Sequence, residues 1–159
     1  MTKKEYHIAV EEWSDSLYRY ALKLCKNTEA AADLIQDAFE KVWIKRAEID
    51  GKKVKAYLFR TVHNKYIDGT RKKRMLHIDE ADKQPYTQIQ QPDLKKILDD
   101  ALNQLKPIQK SAVLLRDYEG YNYKEISDIL DLSESQVKVY IFRARKQLQE
   151  IIGKLEAVI

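Results

Sequence analysis

Tyr57, Phe59, His63 and Tyr66 stand among Lys55, Arg60 and Lys65, and the stretch ends in Arg71, Lys72, Lys73 and Arg74. Cations that follow phosphates beside rings that stack on unpaired bases are the chemistry of single-stranded nucleic acid, at about 1–3 kcal/mol per stacked base. Phe59 and Tyr66 are expected in the core, which leaves Tyr57 as the exposed platform. Cations at a helix C-terminus are also favoured by the macrodipole, so the terminal run has a purely structural use. The interleaved rings do not follow from that use. A second pattern is the pair Asn122 to Glu125 and Ser133 to Gln136, in which a capping side chain precedes Glu or Gln by three residues. Each allows reciprocal bonds to backbone N–H groups that a helix start leaves unpaired. Paired carboxylates, an activated nucleophile and a glycine-rich phosphate loop are all missing from the pattern, so no catalysis is expected. A single Cys25 and scattered His7, His63 and His77 give neither a disulfide nor a zinc spacing, and no metal or cofactor is expected.

The elements that must carry these residues are helices. Four glycines and three prolines in 159 residues are too few for a strand-and-turn architecture, and the long segments show helical spacing. Tyr6, Val10, Trp13, Leu17, Ala21 and Leu24 predict an amphipathic helix ending near Lys26 and Asn27. In the next, Leu34, Ile35, Ala38, Phe39, Val42 and Trp43 form the apolar side, opposite a polar stripe of Asp33, Gln36, Asp37 and Glu40. That stripe is either a solvated face or a docking surface for a basic partner. A third helix runs from about Val54 to Arg74, with Leu58, Phe59, Val62, Tyr66 and Ile67 inward and Lys55, Tyr57, Arg60, Thr61, Asn64 and Lys65 on its other side. Leu94, Ile97, Leu98, Ala101, Leu102 and Leu105 define a fourth. Pro107 suits the first position of a fifth, which Gly120 ends.

The two capped starts then give a short helix from Tyr123 to Leu130, a tight turn through Asp131 and Leu132, and a longer helix from Ser133 to about Leu148. This is the layout of a helix-turn-helix held by Ile126, Ile129, Leu130, Leu132, Val137, Ile141 and Ala144. Its second helix turns Glu134, Ser135, Gln136, Lys138, Val139, Phe142, Arg143, Arg145 and Lys146 outward. In a major groove such a helix uses its first turn on base edges and its cations on phosphates.

Residues 76–93 break the periodicity and hold Pro85 and Pro92, so they read as a linker between two small helical domains. Each half is near the lower size limit for independent folding, and modest stability is expected of each. Residues 1–75 carry 17 basic and 11 acidic side chains, residues 76–93 carry 1 and 4, and residues 94–159 carry 11 and 10. Within the first half, residues 5–43 hold 4 basic against 8 acidic, whereas 45–74 hold 11 against 3. The basic part attracts a polyanion and the acidic part suits a protein, so two partners are implied. No apolar run reaches the length of a membrane span and no signal-peptide core follows Met1, so a cytoplasmic protein without membrane insertion is expected.

The order of these segments strongly resembles bacterial RNA polymerase sigma factors of the extracytoplasmic-function class of the sigma-70 family. The resemblance is carried by Asp33-Leu-Ile-Gln-Asp-Ala-Phe39, by Lys55 to Asp68 with the basic run after it, by Arg116-Asp-Tyr-Glu-Gly120, and by Val137-Lys138 through Arg143-Ala-Arg145. It implies a region 2-like domain over 1–75, a linker over 76–93 and a region 4-like domain over 94–159. The stripe of Asp33, Gln36, Asp37 and Glu40 then docks on the clamp helices of core RNA polymerase. The loop from Lys45 to Lys53, with Lys52 and Lys53, and the helix after it, with Lys55, Tyr57, Arg60, Thr61, Asn64, Lys65, Arg71, Lys72, Lys73 and Arg74, read the minus-ten promoter element. A base flipped from the nontemplate strand is captured there as the duplex opens. The helix-turn-helix reads the minus-thirty-five element in duplex form through Ser133, Ser135, Gln136, Lys138, Val139, Phe142, Arg143 and Lys146. The acidic linker matches the connector that passes near the polymerase active centre and the RNA exit path.

Promoter DNA, duplex and single-stranded, is thus the second partner, and an anti-sigma factor is a common third in this class. Four positions depart from the family pattern: Tyr57 replaces a tryptophan, Asp131 the turn glycine, Gln136 a threonine and Tyr140 a frequent cation. Asp131 is tolerable because aspartate visits left-handed backbone more readily than most residues. Two other readings remain on the residues alone: a stand-alone helix-turn-helix regulator with an N-terminal sensor or dimerisation module, and a plain helical interaction protein. A regulator binds duplex DNA site-specifically by itself, whereas a sigma factor needs core polymerase.

Overall fold

The computed structural model describes residues 1–76 and 94–158, with the side chains of 73–76 and 155–158 left aside. The predicted linker falls almost wholly outside the described residues. Among those described there are seven α-helices and no strand: α1 (Lys3–Cys25), α2 (Thr28–Ile44), α3 (Val54–Leu76), α4 (Leu94–Asn103), α5 (Pro107–Val113), α6 (Tyr123–Leu130) and α7 (Glu134–Val158). No helix among the described residues is long and apolar enough to cross a membrane.

Local chemistry sets the helix ends. Thr2 accepts from the Glu5 N–H to start α1, and Lys26 ends it in left-handed backbone at φ 55°. Asn27 then caps α2 through the Ala30 N–H, 3.0 Å away. On α2 the buried positions are Ala31, Ala38 and Val42, small side chains that let α1 and α3 approach closely. Two short 3-10 turns, Arg46–Glu48 and Gly51–Lys53, join α2 to α3. The Met1 ammonium ties that connection to the start of α1 by donating to the carbonyls of Arg46 (2.9 Å) and Ile49 (2.8 Å).

Both predicted capping boxes form. Asn122 accepts from the Glu125 N–H at 2.8 Å while Glu125 accepts from the Asn122 N–H at 3.3 Å, and Ser133 and Gln136 exchange the equivalent bonds at 3.1 and 3.0 Å. The turn between them puts Asp131 at φ 55°, ψ 52°, the left-handed region that the family resemblance implies for a turn glycine and that aspartate tolerates. Gly120 closes the preceding segment at φ 74°. Three boundaries differ from expectation. α3 continues to Leu76 and α7 to Val158, because Leu148, Ile151 and Ile152 prolong the apolar spacing and remain partly buried. After Val113 the backbone widens into a π-type turn over Leu114–Tyr118, with the Glu119 N–H reaching back to the Leu114 carbonyl at 3.0 Å.

The two halves share one continuous core. Tyr20, Leu58, Phe59 and Val62 from the first half and Leu114, Leu115, Tyr121 and Ile126 from the second belong to a single buried cluster. α3 is its axis: it packs on α1 and α2 on one side and on α6 on the other. Phe59, fully buried, meets Tyr20 at 5.5 Å and Tyr121 edge-on at 5.4 Å between ring centroids, a geometry that aromatic quadrupoles favour.

The strain at Asp131 has a measurable consequence. Asp131→Val places a β-branched residue in left-handed backbone and is expected to lower unfolding stability by about 1–2 kcal/mol, while Asp131→Gly stays within about 0.5 kcal/mol of the parent or exceeds it. Urea denaturation midpoints distinguish the two, and equal losses would mean that the aspartate side chain, not the backbone, is what the turn requires.

Candidate nucleic-acid interface

On α2, Asp33, Gln36 and Glu40 are exposed on one side and Asp37 is half-buried beside them. Asp37 forms an ion pair with Lys65 of α3, so one member of the acidic set is already tied to one member of the basic set. Sequence reading passed over Ile44, which lies one turn beyond Glu40 and is 69% exposed. With Asp37, Glu40, Lys41, Lys45 and Lys65 it lines an open groove at the end of α2. The signal was present: Ile44 is an apolar residue on the polar stripe's four-residue spacing.

The residues assigned to the minus-ten element do not form one free surface. Lys52, Lys53, Asn64, Lys65, Arg71 and Lys72 are exposed, whereas the side chains of Lys73 and Arg74 lie outside those described. Thr61 is buried and donates its hydroxyl to the Tyr57 carbonyl at 2.8 Å, since a threonine on a helix satisfies itself one turn back. Tyr57 is half-buried against the core rather than a free platform. Phe59 is core, as expected, and His63, placed among the interleaved rings, is buried too.

Lys55 and Arg60 face the other half of the chain. The Lys55 ammonium lies 2.5 Å from the Glu125 carboxylate, 3.7 Å from the Tyr121 ring centroid and 4.8 Å from that of Trp13. This cation holds the Glu125 carboxyl below its usual range. Glu125 therefore serves twice, as the capping-box residue of α6 and as the anchor for Lys55. Arg60 donates to the carbonyls of Asp128 and Ile129, at the end of α6 where unpaired carbonyls and the helix dipole both attract a cation.

α7 keeps its outward face free for the most part. Ser133, Ser135, Gln136, Lys138, Val139, Phe142, Arg143 and Lys146 are all exposed, and Phe142 is 67% so despite being a large ring. Arg145 is different: its guanidinium binds the Asp117 carboxylate through two bonds at 3.0 and 2.5 Å. The segment Arg116 to Gly120 is thus a fastener. Arg116 donates to the Tyr121 carbonyl at 3.0 Å, Asp117 holds α7 through Arg145, and Glu119 reaches Arg19 of α1 at 3.1 Å.

Residues 9–75 match the model for sigma-70 region 2 and residues 95–148 that for sigma-70 region 4. The RNA polymerase sigma factor SigM of Bacillus subtilis is 30% identical over 152 residues, covering 89% of this chain and 91% of that protein. The chain belongs to the extracytoplasmic-function sigma factors of the sigma-70 family. SigE of Mycolicibacterium smegmatis, of the same class, is 29% identical over 156 residues, which span 91% of this chain and 60% of the relative. Among solved structures, the sigma factor RpoE of Bartonella quintana in complex with the anti-sigma factor NepR superposes with a TM-score of 0.75 at 26% identity, over 94% of this chain and 98% of that one. As a sigma factor this protein directs RNA polymerase to promoters for transcription initiation, and the stand-alone regulator is not favoured.

In this sigma factor the Lys55–Glu125 contact is partly exposed, so its net worth is small. A double-mutant cycle of Lys55→Ala and Glu125→Gln in urea denaturation is expected to return a coupling of about 0.5 kcal/mol that shrinks in about 1 M salt. A coupling indistinguishable from zero would show that the Tyr121 ring, not the carboxylate, holds Lys55.

Proposed function

We propose that residues 1–75 bind core polymerase and read and melt the minus-ten element, and that residues 94–159 read the minus-thirty-five element as duplex. The protein acts by binding rather than catalysis, in the cytoplasm where polymerase and chromosome meet. The observation that carries this reading is the exposure, on one chain, of an anionic helix face on α2 and a cationic, partly apolar face on α7. The first suits a basic protein surface. The second has the composition of a major-groove reader: Gln136 for a base edge, Lys138 and Arg143 for phosphates, and Val139 and Phe142 for a thymine methyl.

The exposed Lys52, Lys53, Asn64, Lys65, Arg71 and Lys72 support a strand-binding role for the loop before α3 and for α3 itself. Unstacking a base costs a few kcal/mol, which cationic and aromatic contacts on the separated strand must recover. Because Thr61 is turned inward in this arrangement, it takes part only if α3 is uncovered. An anti-sigma factor is a further partner in this reading, supported by the likeness of the whole chain to a sigma factor solved with one.

Two measurements test the assignment of faces. Asp33→Ala with Gln36→Ala is expected to weaken binding to purified core polymerase by about tenfold, the loss of one to two interfacial hydrogen bonds; unchanged affinity in a titration removes α2 from the interface. Lys138→Ala and Arg143→Ala are each expected to lower the slope of log affinity against log salt by roughly one on a duplex minus-thirty-five fragment. A slope untouched by both would turn α7 away from DNA.

A further inference from the structure

Where the two halves meet, four side chains from three helices form a buried polar cluster beside the apolar core. The Ser111 hydroxyl of α5 lies 3.0 Å from the Tyr20 hydroxyl of α1 and 2.6 Å from Nδ1 of His63 on α3. Ser111 is fully buried and His63 is 4% exposed. Next to Ser111, the Lys110 ammonium is 2% exposed as a residue and donates at 2.7 Å to the Leu24 carbonyl and at 2.7 Å to Asn103. The Tyr66 ring lies 5.6 Å from it, and Lys26, Cys25 and Asp99 are the charged and titratable groups that act on it from α1's end and from α4.

Such a cluster is costly to bury and is satisfied only when α5 sits against α1 and α3. We propose that Tyr20, His63, Lys110 and Ser111 form an acid-sensitive latch between the two halves of the sigma factor, holding α6 over Lys55 and Arg60 at neutral pH and releasing it as protons accumulate. Separation of the halves hydrates His63, because its partner Ser111 leaves with α5. Lys55 and Arg60 are released in the same step, since Glu125, Asp128 and Ile129 all belong to α6. Their release for DNA rests on the minus-ten assignment; the opening itself does not.

The direction of the response follows from burial. Removal from water pushes His63 down to about 4 in the closed arrangement, against about 6.5 for a hydrated imidazole. The open state therefore binds the extra proton between these limits, and closure loses ground as pH falls through that window. Lys110 is likewise pushed down, to about 8, with burial first and the neighbouring Lys26 second as causes. Its effect is complete above that value: below pH 8 it is charged in both states and contributes a constant cost to closure rather than a response. The carboxylates at the interface are Glu125, held below its usual range by Lys55, and Glu119, Asp99 and Asp100, which lie against Arg19, Lys23 and Lys26. Linkage from the His63 values gives a shift of the open-to-closed ratio of about fourfold between pH 7.5 and 6.0 and about 25-fold by pH 5.0.

The test uses the full chain with Cys25→Ser and dye-labelled cysteines introduced at the exposed Glu48 and Ser135, followed by single-molecule energy transfer. The same pair is placed in a Lys55→Ala background, where loss of one cross-contact raises the open population about twofold. The expected result is a lower-transfer state whose ratio to the closed one rises about 25-fold from pH 7.5 to 5.0. His63→Gln, a neutral replacement that retains hydrogen bonding, is expected to hold that change below about threefold. Ser111→Ala is expected to open the protein at pH 7.5 while leaving the acid response. An equal acid response with and without His63, or a chain closed at every pH in both backgrounds, overturns the latch. Promoter binding plays no part in the readout, so failure here leaves the sigma assignment of the faces standing, and failure of that assignment leaves the latch.

Discussion

α3 must be covered on two sides at once, and the rest of the structure follows from that constraint. Leu58 and Val62 are buried in the shared core, while Phe59 meets rings from both halves, Tyr20 and Tyr121, and His63 one turn later meets Ser111 of α5. Burying a residue such as Phe59 removes a large apolar surface from water, worth on the order of 2–3 kcal/mol. The helices available to do this are α5 and α6. Their docking brings polar groups with it, and these explain the mixed character of the interface: apolar rings at the centre, Tyr20, His63, Lys110 and Ser111 beside them, and ion pairs at the margin.

The same constraint links the interfaces to one another. Lys55 and Arg60 lie on the edge of α3 that α6 covers, so the cations suited to a phosphate backbone are matched inside the protein by a carboxylate and by helix-end carbonyls. Both kinds of partner are anionic in effect. By contrast, α2's acidic stripe and α7's outward face point away from the shared core. A sigma factor arranged in this way keeps the faces of α2 and α7 exposed while Lys55 and Arg60 are occupied within the protein.

Several features were legible from residues alone. The seven helices, the capped pair around Asp131 and the exposed sides of α2 and α7 followed from periodicity and capping, which act over three or four residues, and the left-handed backbone at Asp131 from the family resemblance, which implies a glycine there. Family likeness came from the order of segments. The exposure of Tyr57 and Thr61 was misread because periodicity gives a helix one inside and one outside, whereas α3 has two packed sides. Ser111, Tyr20 and Lys110 carried no local signal: a serine and a lysine on a short helix resemble solvated residues until a second element is laid over them.

The sequence by itself determined where helices begin and end, which stripe of each is apolar, and how charge is divided between residues 5–43 and 45–74. Those properties depend on neighbours along the chain. Only the tertiary structure decided that Lys55 and Arg60 face Glu125 and the end of α6, and that His63 loses its water to Ser111. These contacts join residues 48 to 70 positions apart, and whether a polar group meets water or another polar group at that separation is settled by packing.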